Sequence, residues 1–153
     1  MQMRTRLAAV AMVGVMLCGS AYGETPASRA ERELFASVNQ ARRAQGLAPL
    51  RWDEALAAAA RRHAEVMAKH GSAQHGFEGE PSLSARAKQA GAHFSWLSEN
   101  VTQGPTAGFM HSQFMKSAAH RANIVDRDMD SIGVGVVEHG GQLFAVEDFS
   151  QAR

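Results

Sequence analysis

The chain has 153 residues, of which 45% are apolar and 20% charged. That is the composition of one globular domain, and it excludes disordered, collagen-like and coiled-coil chains. The formal charge is +1, and setting aside Arg4 and Arg6 leaves 14 basic residues against 15 acidic ones, or −1. A near-neutral domain has no electrostatic hold on a phosphate backbone, so nucleic acid is excluded as a partner.

Residues 1–23 read as a signal peptide. MQMRTR is a short basic start, LAAVAMVGVMLCGSAYG is apolar and ends in small residues, and Ala21-Tyr22-Gly23 fits the small-x-small cleavage rule. The mature chain is therefore expected to begin at Glu24, exported to the periplasm or secreted. No later stretch is long and apolar enough to span a bilayer, so the mature chain has no transmembrane anchor. Cys18 opens an alternative, an acylated lipoprotein, although Leu17 stands where that processing wants a small residue. Cys18 is also the only cysteine. A mature domain without thiols has no disulfide, thiol nucleophile or zinc–thiolate site. Any metal must then be held by imidazole and carboxylate.

Residues 24–32 are a tail running into the first helix, and the domain proper is expected over 33–149. Ser28-Arg29-Ala30-Glu31 is a capping box, Leu34, Val38 and Ala41 recur at helical spacing, and Gly46 is a stop. This predicts a helix over 29–45. Leu47-Ala48-Pro49-Leu50 is a connection. Asp53 caps a second helix with Leu56, Ala60, His63 and Met67 on one face, ending near Gly71. The alanines at 57–60 permit close helix packing. Residues 71–81 are a polar, glycine-rich loop. A short third helix follows Ser82 and ends at Gly91. Residues 94–103 read as a strand or extended segment with a polar centre. Pro105 opens a fourth helix in which Met110 and Phe114 pair at i, i+4. The runs 132–138 and 142–149 read as strands of a hairpin turned at His139-Gly140-Gly141. Helices come first and strands concentrate late, so the class is α+β or a three-layer α/β/α sandwich.

Seven histidines invite a metal or acid–base reading. His63, on the apolar stripe of the second helix, reads as a hydrogen-bonded core residue, and Trp52 at that helix's entry as buried framework. His70 closes the same helix, where a cation suits the helix dipole. His93 and His139 fall in turn-like positions facing solvent, and the orientation of His111 is undetermined. His75 in the loop, Glu99 in the polar break and His120 beyond the fourth helix form the more informative set. Two imidazoles and a carboxylate are the ligands of many catalytic zinc sites with an open position. Spacing alone does not show that the three converge.

In their order along the chain, ELFASVNQARRAQGLAPLRWDEALAAAARRHAEVMA, SENV, FMKSAAHRANI and SIGVGVVEHGGQLFAVEDF resemble the CAP superfamily. This group, also described as SCP or PR-1-like domains, includes plant pathogenesis-related proteins, sperm-coating glycoproteins and venom antigens. The compact, cysteine-free bacterial members are the nearer likeness. The resemblance runs from about Glu33 to Phe149 and implies an α/β/α sandwich with a central, mostly antiparallel sheet and an open cleft. It further implies two His and two acidic residues in that cleft, with the His pair able to take zinc or another divalent metal. His75, Glu99 and His120 match three of the four. Ser117 falls where the fourth, an acid, would be, three residues after the aromatic position of Phe114. Glu78 and Glu80 are the acids of the nearby loop.

Two functions follow. One is a binding module of the cell envelope or extracellular space, taking a small molecule, lipid, peptide or protein into a metal-capable cleft of His75, His120 and Glu99. The other is a metal-dependent, peptidase-like hydrolase with Glu99 as base or support. The chain has no HExxH pair, GxSxG elbow or cysteine nucleophile, and Ser117 removes an acid–base partner, so binding is favoured over catalysis.

Overall fold

The computed structural model describes residues 28–151. The expected signal peptide and cleavage site, Cys18 and the tail at 24–27 lie outside the described residues.

Helix α1 (Arg29–Ala44) begins with the expected capping box: Ser28 accepts from the Glu31 backbone N–H, and the Glu31 side chain accepts from that of Ser28. Glu31 is also buried and takes two hydrogen bonds from Arg61, at 2.9 and 3.1 Å, and one from the Val136 backbone. One carboxylate thus ties α1 to α2 (Glu54–His70) and to β3 (Ser131–His139). Asp53 caps α2, and Gly71 ends it at φ 64°, the left-handed conformation in which glycine lacks a Cβ penalty. Arg42, buried at the end of α1, donates to the carbonyls of Ala48, Ile124, Asp126 and Met129. These bonds replace the water that its guanidinium loses.

Two strands complete the late hairpin and one precedes it: β2 (Trp96–Gly104), β3 and β4 (Gln142–Gln151), with β4 between the other two and antiparallel to both. A two-residue strand, β1 (Arg51–Trp52), pairs parallel with β3, giving the order β1-β3-β4-β2. The sequence reads this segment only as the approach to α2. Its strand character depends on β3, about 80 residues away, which no local pattern reports.

The sheet is covered on both faces. Leu34 and Val38 of α1 join Met110 and Phe114 of α4 (Ala107–Lys116) and Ile124 of α5 (Ala118–Ile124) against Ile132, Val134, Ala145 and Phe149. On the opposite face Ala60, Ala64 and Met67 of α2 pack on Val101, Phe144 and Val146. Helix α3 (Leu83–Gln89) lies at one end of that layer, where Ala87 meets Leu56. This is the expected α/β/α sandwich. The fourth helix starts later than Pro105 suggests, with Thr106 as its cap, and it breaks at Ser117 into α4 and the separate α5. Trp52 is only half-buried: it packs edge-on against Phe35 with centroids 5.4 Å apart, and its Nε1 has no partner.

Candidate functional site

Alternation along β2 sends Glu99 to the α2 and α3 side and Asn100 to the α5 side. Glu99 is buried at the centre of the strand, its side chain 3% exposed. Oε1 accepts from Nδ1 of His75 at 2.9 Å, and Oε2 from Nη2 of Arg86. His75 stands on the loop after α2 with a side chain 61% exposed, so this bond leaves its other ring nitrogen, Nε2, outside the Glu99 contact.

His120 is the third residue of α5, half-buried, its ring edge-on to Phe114 at 5.2 Å between centroids. Burial, and then the neighbouring His75, lower its pKa below the ordinary histidine value. No group of three or more His, Cys, Asp or Glu side chains suited to hold a metal ion occurs among the described residues.

Asparagines hold α5 in place. The Asn100 amide donates to the His120 carbonyl and to Glu147, each at 3.1 Å, and Asn123 donates to the Asn100 oxygen at 2.8 Å and to the Glu99 carbonyl. Ser117, where the resemblance implies an acid, caps α5 by accepting from the His120 backbone N–H at 3.4 Å. Its hydroxyl serves the helix end.

Beneath the His75 loop lies a second polar layer. His63 is fully buried, its Nδ1 2.6 Å from Glu80 and its Nε2 2.9 Å from the Gln74 carbonyl, the satisfied core histidine expected from its stripe. Glu80 also accepts from the Phe77 backbone and lies 3.7 Å from Arg86. The acid of this loop that turns inward thus serves the framework, while Glu78 is exposed. His70 stacks on Phe77 at 4.2 Å, and His93 and His139 face solvent. His111 is half-buried, and burial lowers its pKa.

The residues that sequence reasoning passes over are Arg86, Asn100, Asn123 and the neighbours Glu147 and Asp148. Both acids are fully buried in the second half of β4. Burial raises Glu147 to about 8, although its bond from Asn100 acts the other way. Asp148, opposite Glu99 in register, is held well above the usual carboxylate range by burial and then by the Glu99 charge. Two adjacent acids in a strand that is otherwise apolar were the available signal.

Comparison with known proteins agrees with this architecture. Residues 35–149 match the Cysteine-rich secretory protein family, the CAP family. The chain belongs to it. A curated relative, the uncharacterised protein YkwD of Bacillus subtilis, is 32% identical over 111 residues, covering 72% of this chain and 43% of that protein. The chain thus spans less than half the length of that relative. An extracellular protein with an SCP domain from Bacillus anthracis superposes with a TM-score of 0.74 at 22% identity, over 80% of this chain and 40% of that one. An outer surface protein of Borrelia burgdorferi gives 0.74 at 18% identity, over 81% and 93%. At such identities these structures show the shared fold. No helix among the described residues is long and apolar enough to cross a membrane.

Proposed function

We propose that this CAP domain is an exported binding module whose cleft holds a divalent cation, zinc or similar, between His75 and His120 and engages an envelope or extracellular ligand there. The observation that carries the reading is the 2.9 Å bond from His75 to buried Glu99. A metal-binding histidine usually gives its second ring N–H to a carboxylate, which fixes the tautomer and aims the free lone pair. Glu99 suits that supporting role better than direct ligation, because it is buried behind His75 with an oxygen committed to each of His75 and Arg86. His120 fits the second ligand position, since burial lowers its pKa and so favours the neutral imidazole whose lone pair a metal needs. A bound cation would supply a Lewis-acidic centre with positions open to a ligand's oxygen or nitrogen.

Binding is preferred to hydrolysis on the same geometry. A general base needs a carboxylate within reach of water, and the Glu99 side chain is 3% exposed with both oxygens already accepting hydrogen bonds. Export rests on the basic and apolar start of the chain, with extracellular and outer-surface proteins among its structural relatives. The test is zinc calorimetry on untagged protein, with His75→Ala and His120→Ala as variants. Each variant is expected to lose at least tenfold in affinity, and equal binding by all three proteins would overturn the metal-cleft reading.

A further inference from the structure

Helix α3 buries a charge that its length and composition do not explain. Arg86 is 6% exposed, yet it sits in a seven-residue helix on the domain's flank. A guanidinium removed from water must satisfy its donors within the protein. Nη2 donates to Glu99, and Nη1 reaches the carbonyls of Pro81 at 3.1 Å and His75 at 3.4 Å, while Nε is buried without a partner. All these acceptors belong to His75, to its loop, or to the carboxylate that holds its ring.

We propose that Arg86 is the positioning residue of the His75 site, fixing the imidazole's place through the His75 backbone carbonyl and its ring orientation through Glu99. The inference rests on the cleft reading above for its purpose, though not for its geometry. A general scaffold role would need only one of the two attachments. Holding both from one side chain makes the backbone and the ring of His75 move together. Lysine cannot substitute, because one ammonium is a point charge while the guanidinium fork reaches acceptors in several directions.

Glu99 needs such a partner. It is buried opposite Asp148, a second carboxyl group, and a buried carboxylate is held in place by the donors that reach it. His63 Nε2, 3.9 Å from Glu99, is already engaged by the Gln74 carbonyl. Arg86 is thus the cation in hydrogen-bond contact with this carboxylate. With Oε1 held against Nδ1, Glu99 accepts the hydrogen bond of His75 Nδ1–H and leaves Nε2 as the lone-pair nitrogen.

The experiment compares the full chain with Arg86→Lys, Glu99→Gln and the charge-neutral pair Arg86→Gln/Glu99→Gln. The first readout is nitrogen NMR of the metal-free His75 ring at a pH where it is neutral. Wild type should hold one tautomer, with the proton on Nδ1, and folded Arg86→Lys should show a mixture. The second is zinc affinity, where loss of an outer partner typically costs about 10–100-fold. Arg86→Lys should lose about tenfold, and the charge-neutral pair should bind no more weakly than Glu99→Gln alone. A wild-type ring pattern in folded Arg86→Lys would overturn the proposal. So would a further tenfold loss in the pair, which reports even where Arg86→Lys does not fold, since it leaves no unpaired buried charge. A wild type that binds no zinc would refute the metal cleft alone, and the ring pattern would still decide Arg86.

Discussion

The two faces of the sheet solve the same packing problem with opposite materials. On the α1, α4 and α5 side the space is filled by large side chains, Leu34, Met110, Phe114, Ile124 and Phe149, all fully buried. On the α2 side the helix presents alanines to a strand carrying glycines at 133 and 135, so backbone lies against backbone. The difference matters for function because α2 ends at the loop that carries His75, while α5 carries His120. One imidazole is thus placed by close backbone packing and a buried charge network. The other is placed by side-chain packing and asparagine hydrogen bonds. Large apolar side chains can relax around a change, whereas two backbones in contact cannot.

The largest expected effect breaks the tight face. A Cβ on Gly135 would lie 2.2 Å from the Arg61 backbone nitrogen and 2.3 Å from the Ala60 carbonyl carbon; on Gly133 it would lie 2.1 Å from the Ala57 nitrogen. No rotamer relieves such contacts, so α2 must lift from β3. Ordinary overpacking costs about 1–3 kcal/mol, and Gly135→Ala is expected to exceed that and leave no cooperatively folded protein. Circular dichroism and urea unfolding check this, and a variant within about 1 kcal/mol of wild type would show that the layers separate easily.

The next effect belongs to the α5 side, through Glu147. Its pKa is raised to about 8 from an ordinary value of 4.5. Below 4.5 the folded and unfolded chains are both protonated there, and this group adds no pH dependence. Between 4.5 and about 8 the unfolded chain releases the proton while the folded chain keeps it, so stability falls as pH rises and levels off above about 8. At about 1.4 kcal/mol per pKa unit the full span is on the order of 5 kcal/mol. Glutamine can still accept the Asn100 hydrogen bond and cannot ionise. Glu147→Gln should therefore match wild type near pH 4 and exceed it increasingly towards pH 8 in urea midpoints. Parallel curves for the two proteins would remove Glu147 as a buried acid that stays protonated.

Much of this architecture is legible in the sequence because it is local. The capping box at Ser28, the Asp53 cap, the Gly71 stop and the Gly140-Gly141 turn depend on residues within a few positions of one another. So does the helical stripe that marks His63 as core. The short strand β1 is not legible, since its two residues are strand only by pairing with β3. Nor is Arg86: a single arginine in a short polar helix reads as solvated, and only the folded loop brings Pro81, His75 and Glu99 around it. In the cleft, residue types point to His75, Glu99 and His120. What each can do depends on partners such as Asn100 and Asn123, which carry no distinguishing pattern of their own. Trp52 marks the same limit, because an aromatic beside a helix start suggests burial, while the sheet's edge leaves it half-exposed.

The smallest effect sharpens the account of how His120 is placed. Ser117 stands where the resemblance implies an acid, and in this chain its backbone is extended while its hydroxyl caps α5. Loss of such a cap typically costs about 1 kcal/mol, and a seven-residue helix has few other bonds to compensate. Ser117→Ala should therefore lower stability by about 1 kcal/mol in urea unfolding. Ser117→Asp should stay within a few tenths of wild type, because aspartate caps as well as serine and its charge suits a helix N-terminus. The pair separates two explanations for the serine. If capping is the reason, Asp rescues what Ala loses, and an acid can return to this position without unseating His120. If Ala and Asp destabilise alike, the hydroxyl matters for its size or a different contact.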